Sequence, residues 1–284
     1  MQNTNNNYDI IFLGLAQNCE KYLPFFFGKI DEISKKKNIK VFIGENGSND
    51  YTFDVIQKKI STSNIYNFVD TTFIENYEDR IKRLALARQS LKENFLSLNI
   101  KSKFVCVIDL DDVINDFFSL DLINNLISKL EEEQDKYFGV SLSSKPYYYD
   151  ILNFESLEFP NSCIKQLQNN KSINSYNQRK QSIYKVQKLL SKKKNFECIS
   201  GFNGLCLYFF KDYIKSDYVE DDKDQTPEHL LFNRILNKTL KKKILVTDNF
   251  FRMPNEHKPL NNIFHFIFEK MLKYINIYFN KFFD

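Results

Sequence analysis

Cysteines are few and long apolar segments are missing in this 284-residue chain, and each shortage argues against particular classes of protein. The five cysteines form no C-x-x-C pair, which argues against a zinc site or a disulfide framework and favours a reducing compartment such as the cytoplasm. No run of 18 apolar residues occurs, so we expect no membrane-spanning helix. The stretch Met1–Asp9 is polar, and we expect no secretory signal.

A strong field of one charge sign is also missing. The net charge is only +4, so we expect no nucleic-acid partner. Lysine supplies most of the positive charge, and its runs Lys35–Lys37, Lys192–Lys194 and Lys241–Lys243 are typical of solvated faces, although they could contact anionic lipid. What the chain does contain is a hydrophobic content of 43% with 28 phenylalanines, which is sufficient for a packed core.

The acidic cluster after residue 108 is the most informative pattern. Phe104–Ile108 is an unbroken apolar run, typical of a strand buried on both faces of a parallel sheet. Asp109, Asp111 and Asp112 follow at the strand end, where ligands bind in open α/β sheets. Neighbouring carboxylates repel one another unless a cation lies between them, and Mg²⁺ prefers one or two carboxylates together with substrate phosphate. The cluster predicts a metal–phosphate site; the alternative is a solvated acidic loop.

Strand and helix patterns alternate through the first half of the chain. The predicted strands are Ile10–Leu15, Lys40–Gly44, Ile65–Val69 and Phe104–Ile108, and the predicted helices are Glu20–Lys35, Tyr51–Ile60 and Asp79–Leu98. This order predicts a parallel, doubly wound sheet with right-handed crossovers. The loops at Gln17-Asn18, Glu45–Asp50 and Asp109–Asp112 would then share one rim of the sheet.

The second half is less regular. We predict strands at Tyr137–Leu142, at Cys198–Phe210 with a glycine-containing turn at Gly201–Gly204, and at Lys243–Thr247. An extended edge is predicted at Pro146–Asp150, and a helix at Pro227–Asn237. The polar stretch Gln166–Asn195 is interpreted as a mobile or helical insertion. Ile263–Phe283 has a narrow polar stripe and a broad apolar face, so it predicts an amphipathic helix that lies in a membrane interface or docks on protein.

The helix predicted at Asp79–Leu98 carries a charge on its apolar face. Ile81, Leu84, Leu91 and Phe95 follow helical spacing, and Arg88 occupies the position between them. A buried guanidinium needs a partner, and arginine suits carboxylates or diphosphates. Arg88 could therefore bind a ligand or form a structural ion pair with the Asp109 cluster. Arg80 and Arg83 share the helix, so half of the six arginines lie within nine residues.

Taken in order, these motifs resemble the GT-A family of nucleotide-sugar glycosyltransferases, and among them the capsule-associated mannosyltransferase-like group. Glu45–Thr52 is similar to an "ENxSxDxT" loop, Arg80–Gln89 to an "RxxRxAxxRN" helix with glutamine at its end, and Asp109–Asp111 to the DxD motif. Leu13–Pro24 resembles the opening strand and helix, and Tyr148–Asp150 and Gly201–Gly204 resemble acceptor-side segments. The polar, glycine-containing loop Glu45–Asp50 could also be an ordinary turn.

The resemblance implies a site for a nucleoside-diphosphate sugar and for Mn²⁺ or Mg²⁺. Asp111 would bind the metal, and Asp109 would contact the metal or the ribose. The implied nucleotide-binding residues are Leu15, Ala16, Asn18, Glu45, Asn46, Ser48, Asp50 and Leu110, with Arg80, Arg83 and Arg88 on the diphosphate. His257 would be a late metal ligand, or otherwise a surface-loop residue.

An inverting enzyme of this kind needs a general base for the acceptor hydroxyl. Glu228 is the first candidate and Asp150 the second, whereas His229 is interpreted as a structural histidine. A retaining enzyme would need no such base, and the sequence does not decide between the two outcomes.

Two other functions fit part of the pattern. The run Val107–Asp116 resembles the first motif of haloacid-dehalogenase-like phosphatases, in which Asp109 would be a nucleophile and Asp111 an acid/base. That motif usually opens its domain and carries a glycine where Asp112 stands. A catalytically inactive GT-A module that binds a sugar nucleotide is the second alternative, suggested by Gln89 and by the Glu228-His229 pair.

The predicted protein is therefore a GT-A type (Rossmann-like) α/β domain over residues 1–260, with a mixed, mainly parallel central sheet flanked by helices. Residues 1–115 form its nucleotide-binding half and 116–260 its acceptor-side half. A C-terminal amphipathic helix covers 261–284. The predicted partners are a nucleoside-diphosphate sugar donor and a glycan or lipid-linked acceptor in polysaccharide biosynthesis. We expect a cytoplasmic location, with peripheral membrane contact through 263–283 at the inner face.

Overall fold

The computed structural model of the protein describes residues 7–113, 117–160, 182–219, 226–254 and 258, and most of its strands belong to one large sheet. The strands are β1 (Asn7–Ala16), β2 (Ile39–Glu45), β3 (Tyr66–Asp70), β4 (Lys101–Asp109), β5 (Tyr137–Lys145), β6 (Phe154–Glu155), β7 (Phe196–Cys198), β8 (Ser200–Gly201), β9 (Leu205–Phe209) and β10 (Lys243–Arg252). β6 and β8 form a separate antiparallel pair, and the others build an eight-stranded sheet.

The main sheet is mostly parallel. Its strand order is β3-β2-β1-β4-β9-β5-β10-β7. The first four strands in this order are mutually parallel, and β5 is parallel to β10. β9 lies between β4 and β5 and is antiparallel to both, and β7 is antiparallel to β10. The predicted mixed, mainly parallel α/β sheet is confirmed.

Helices cover both faces of the sheet. They are α1 (Leu23–Ser34), α2 (Thr52–Thr62), α3 (Arg80–Ser97), α4 (Leu120–Glu132), α5 (Ile183–Leu190), α6 (Phe210–Tyr213) and α7 (Glu228–Leu240), with 3₁₀ turns at Thr72–Asn76 and Ile151–Asn153. The Asp79 carboxylate caps α3 by accepting bonds from the backbone N–H groups of Ile81 and Lys82. Ser119 caps α4 in the same way through the N–H of Leu122.

Two apolar layers hold these helices on the sheet. Buried residues of α1, α2 and α4, among them Phe26, Ile56 and Leu126, pack on one face. Buried residues of α3, α5, α6 and α7, such as Phe95 and Phe232, pack on the other. Because both faces are covered, the central strands are apolar without alternation, as the run Phe104–Ile108 predicts.

Several predictions fall on parts of the chain that the structure does not describe. These are His257, the helix at 263–283 and residues 166–181 of the insertion predicted at 166–195, whose described part contains α5. The domain boundary at residue 260 and the membrane contact stay predictions. Among the described residues, no helix combines the length and hydrophobicity needed to cross a bilayer.

Candidate functional site

The carboxyl ends of three parallel strands meet at one rim of the sheet. In the register of β1 with its neighbours, Leu15 is opposite both Gly44 of β2 and Asp109 of β4, and Ala16 is opposite Glu45. The loops that follow these strands therefore start side by side. This is the edge at which open α/β sheets bind ligands.

A cavity of about 490 Å³ opens at this rim. Its wall contains four carboxylates and two arginines: Asp109, Asp111, Asp150, Glu228, Arg80 and Arg88. The remaining lining residues are Leu15, Gln17, Cys19, Asn46, Ile81, Leu84, Leu110, Tyr149, Ile151, Leu152, Asn153, Phe202, Pro227 and His229. The volume is typical of a site for a small molecule or cofactor.

Arg88 joins the sheet rim to α3. Its side chain points from the buried face of the helix, and its Nη2 donates a 2.9 Å hydrogen bond to Asp109 Oδ1. The residue is only 5% exposed, and among the described residues its Nε and Nη1 have no hydrogen-bond partner. The ion pair suggested by the sequence is thus present, and two buried donors remain for a ligand that enters the cavity.

The acids of the cavity repel one another. Burial raises the pKa of Asp109 to about 8; the Arg88 charge opposes this rise, whereas Asp111 and Asp150 add to it. Asp111 itself accepts a 3.1 Å bond from the backbone N–H of Val113. A cation between these carboxylates would relieve the repulsion. Closely spaced carboxylate oxygens are also the ligands that a hard divalent metal prefers.

The donor set fits a metal that the substrate helps to hold. Among the residues that the structure describes, no group of three or more His, Cys, Asp or Glu side chains is arranged to bind a metal ion. Mg²⁺ and similar ions, however, are often held by one or two carboxylates plus phosphate oxygens and water. Asp109 and Asp111 provide such a pair at the cavity wall.

The loop after β2 is built by its own polar side chains. The buried Glu45 carboxylate accepts bonds from the N–H groups of Gly47, at 3.1 Å, and Ser48, at 2.6 Å. Ser48 Oγ accepts from the Asn18 N–H at 3.0 Å, and Asp50 accepts from the N–H groups of Glu20 and Thr52. These side chains shape the loop, and none of them lines the cavity.

Asn46 is the member of this loop that does reach the cavity. It is buried, its side-chain oxygen is bonded to the Thr71 hydroxyl, and its carbonyl accepts a 3.2 Å bond from Gln17 Nε2. Thr71 and Gln17 therefore fix the position of Asn46. Its backbone N–H donates to the carbonyl of Ala16 at 3.2 Å, so the ends of β1 and β2 are joined here.

Two further acids lie on the other side of the cavity. Asp150 caps the 3₁₀ turn at Ile151–Asn153, and burial raises its pKa to about 6, partly opposed by hydrogen bonds from Asn153. Glu228 is the first residue of α7, and burial also raises its pKa, an effect that the charge of Arg88 opposes. Carboxyl groups with raised pKa values in a cleft are suited to proton transfer near neutral pH.

One loop connects the two sides. The backbone N–H of Asp109 donates a 2.9 Å bond to the carbonyl of Gly204, and the N–H of Asp150 donates a 2.9 Å bond to Asn203 Oδ1. Asn203 is fully buried and also donates to the Leu142 carbonyl at 3.1 Å. The segment Gly201–Gly204 therefore positions acids on both walls.

The structure brings together part of the predicted site. Nine predicted residues line the cavity: Leu15, Asn46, Arg80, Arg88, Asp109, Leu110, Asp111, Asp150 and Glu228. Six do not line it: Ala16, Asn18, Glu45, Ser48, Asp50 and Arg83. Gln17, in the loop predicted to lie at the rim, also lines the cavity, whereas Cys19 and Asn153 were not predicted as lining residues. For Asn153 a signal was present, because an aspartate three residues earlier is typical of a capped turn.

No protein-family model and no curated protein sequence matches the chain. Residues 1–349 of TarS from S. aureus are similar in structure, with 13% identity over 86% of this chain and 60% of that chain, at a TM-score of 0.47. The mannosyltransferase PcManGT from Pyrobaculum calidifontis, solved with GDP-Man and Mn²⁺, is 11% identical over 88% of this chain and 58% of that one, with a TM-score of 0.47.

Glucosyl-3-phosphoglycerate synthase from Mycobacterium tuberculosis, solved with UDP, is 11% identical over 89% of this chain and 74% of that one, also at 0.47. The chain thus spans about 60% of the length of the TarS fragment and of PcManGT. Similarity at these TM-scores supports no conclusion about activity.

Proposed function

We propose that this protein is a metal-dependent glycosyltransferase of the GT-A type, which moves a sugar from a nucleoside-diphosphate sugar to the hydroxyl of a glycan or lipid-linked acceptor. One observation carries the proposal: a single cavity in which Asp109, Asp111 and the buried Arg88 face Asp150 and Glu228. The order of the motifs along the chain, from the β1 loop to the DxD segment, supports the same reaction.

The donor diphosphate would bind at the arginine side of the cavity. Arg88 Nε and Nη1 are buried donors without partners among the described residues, and phosphate oxygens are suited to accept from both. Arg80 lines the cavity on the same helix, one residue after the Asp79 cap. Leu15 and Asn46 would border the nucleoside, at the ends of β1 and β2. Pre-positioned cations of this kind stabilise the charge that develops on a leaving diphosphate.

Asp111 and Asp109 would hold Mn²⁺ or Mg²⁺. When bound, such an ion neutralises charge on the diphosphate leaving group. The wall has four carboxyl groups and two arginines, and the pKa of Asp109, raised to about 8 by burial and by the neighbouring acids, shows that these acids resist ionising together; a bound cation would favour their ionised forms. His257 as a further ligand stays a prediction from the sequence.

The acceptor would bind near Asp150 and Glu228. Either carboxylate is suited to take the proton of the attacking hydroxyl, because burial has raised both pKa values toward neutrality. At pH 7 Asp150, with a pKa of about 6, is mostly ionised and retains more basicity than an exposed aspartate. The two remain alternative bases for an inverting reaction.

The direct test is release of nucleoside diphosphate from a panel of nucleotide sugars, with Mn²⁺, Mg²⁺ or EDTA. We expect metal-dependent turnover by the wild-type protein and a loss of about 100-fold or more in Asp111→Ala, at unchanged thermal stability without metal. Asp135→Ala is the matched control, since Asp135 is an exposed aspartate outside the cavity. Full activity in Asp111→Ala would contradict the metal assignment.

The same assay separates the other candidate functions. Binding of a nucleotide sugar without turnover, over a broad set of acceptors, would indicate an inactive module. Phosphate release from p-nitrophenyl phosphate would indicate a phosphatase. The latter is disfavoured by the position of Asp109 at the end of β4, because the phosphatase motif usually opens its domain.

A further inference from the structure

His229 is a buried polar side chain of the cavity wall that the proposed reaction leaves without a role. It is the second residue of α7, lines the cavity and is only 1% exposed. Among the described residues, neither Nδ1 nor Nε2 has a hydrogen-bond partner. Glu228 Oε1 lies 3.6 Å from Nε2, which is too far for a hydrogen bond. The sequence predicted a structural histidine with satisfied hydrogen bonds, whereas both ring nitrogens of His229 lack a partner among the described residues.

Aromatic packing holds the imidazole in this position. The Phe202 ring stacks on it with a centroid distance of 3.6 Å and an interplanar angle of 12°. The Tyr218 ring meets it edge-on at 5.6 Å and 79°. The ring cannot turn toward another polar group without losing this packing. Burying two unpartnered nitrogens costs stability, so a ligand that satisfies them would offset a cost already built into the fold.

The charge state of His229 defines which ligand fits. Burial, followed by the nearby charge of Arg88, lowers the pKa of His229 well below its usual value. The ring is therefore neutral, with one N–H donor and one acceptor nitrogen. An ionised phosphate or carboxylate could engage only the N–H, whereas a hydroxyl can either accept from the N–H or donate to the other nitrogen; because the two nitrogens point in different directions, one hydroxyl engages one of them. No metal cluster of three or more ligands includes this residue among those described.

We propose that His229 binds a sugar hydroxyl in the cavity and so helps to determine substrate specificity beside Glu228. The inference rests on the proposed function, because it assumes that a sugar enters this cavity. The hydroxyl could belong to the donor sugar or to the acceptor, since Glu228 adjoins the predicted acceptor side and Arg88 the donor side. In both cases His229 would recognise a hydroxyl group.

Two substitutions test the hydrogen bonds separately from the packing. His229→Phe retains a stacked ring and removes both nitrogens, and His229→Gln restores a donor and an acceptor on a side chain of similar reach. We expect the ligand-free His229→Phe protein to melt at the wild-type temperature or higher, by about 2 °C, since an unsatisfied polar group is removed. A purely structural histidine would give a clear decrease instead.

Binding then identifies the source of the hydroxyl. Calorimetry compares a nucleoside diphosphate with its nucleotide sugar, and transfer is measured to a set of methyl glycosides. A loss of about tenfold or more for the nucleotide sugar alone assigns the hydroxyl to the donor, whereas a similar rise only in the glycoside KM assigns it to the acceptor. His229→Gln should recover part of the lost effect.

Equal donor affinity, together with no difference in glycoside transfer between wild type and His229→Phe, overturns the inference. Failure of the proposed function gives a different result, because the wild-type protein itself would then transfer no sugar, whether or not it binds a nucleoside diphosphate.

Discussion

Asn153 donates two hydrogen bonds to Asp150, from its backbone N–H to Oδ1 at 3.3 Å and from its side-chain amide to Oδ2 at 2.7 Å. Its own side-chain oxygen accepts a 3.0 Å bond from the backbone N–H of Leu230, in the first turn of α7. Asn153 is buried and joins Asp150 to the first turn of α7, the helix that begins with Glu228. It therefore helps to position this wall of the cavity.

Replacing Asp150 by asparagine should change how stability depends on pH. Burial raises the pKa of Asp150 from 3.8 to about 6, so the folded protein binds this proton more tightly than the unfolded chain does. The resulting stabilisation is complete below about pH 4 and is lost as the pH rises through 6. Relative to wild type, Asp150→Asn should therefore gain up to about 3 kcal/mol between pH 4 and pH 7.

Urea unfolding of metal-free protein at several pH values measures this gain. Asp135→Asn, at an exposed position outside the cavity, is the matched control for the substitution. A pH-independent difference between Asp150→Asn and wild type would show that the Asp150 carboxyl group titrates normally.

Replacing Arg88 by methionine should weaken diphosphate binding and destabilise the fold. The substitution leaves Asp109 without its 2.9 Å partner and removes the two buried donors that face the cavity. We expect a fall of about tenfold or more in nucleoside-diphosphate affinity and a cost of about 1–3 kcal/mol in unfolding free energy. Calorimetry and chemical denaturation measure the two effects.

Lys82→Met is the matched control for Arg88→Met, because Lys82 is an exposed cation on the same helix and does not line the cavity. Its affinity for nucleoside diphosphate should equal that of wild type. Equal losses in both variants would mean that overall charge, and not the position of Arg88, attracts the ligand.

Two glycines should respond in opposite directions to alanine. Gly204 has φ +76°, and an added Cβ would meet Val113 Cγ1 at 2.4 Å, so Gly204→Ala should lower the free energy of unfolding by about 2 kcal/mol or more.

Gly28 lies inside α1 with no atom within 4 Å of an added Cβ, so Gly28→Ala should raise the free energy of unfolding by about 0.5–1 kcal/mol.

Denaturant unfolding measures both changes. Because the Gly204 carbonyl holds the backbone of Asp109, the first variant should also lose turnover. A Gly204→Ala protein as stable and active as wild type would mean that this loop adapts freely.

The first half of the fold was predictable because its signals are local. The predicted helix Asp79–Leu98 corresponds to the cap at Asp79 and to α3 at Arg80–Ser97, and the predicted strand Phe104–Ile108 lies within β4. Helix α4 was missed, although Ser119 is a standard cap and its buried residues have helical spacing. The segment Cys198–Phe210 was predicted as a strand with a turn at Gly201–Gly204; the structure has β8 before this turn and β9 after it, and Cys198 and Phe210 belong to β7 and α6.

The site was predictable where a charged residue interrupts or ends an apolar pattern. Arg88 lies on an apolar helix face and Asp109 follows an apolar strand, and the two side chains are hydrogen-bonded to each other. The loop Glu45–Asp50 was harder to interpret, because Glu45, Ser48 and Asp50 bond backbone N–H groups and only Asn46 reaches the cavity. A sequence contains the residue types of a loop but not the directions of their side chains.

The insertion of antiparallel β9 between β4 and β5 could not have been derived from strand order along the chain. It has a consequence for any substrate. Asn203 and Gly204, just before β9, hold the backbones of Asp150 and Asp109, so the width of the cleft between its two acidic walls is set by adjacent residues of one covalent segment. Moving these walls apart to admit a longer molecule would break the hydrogen bond to Asp150 or the one to Asp109.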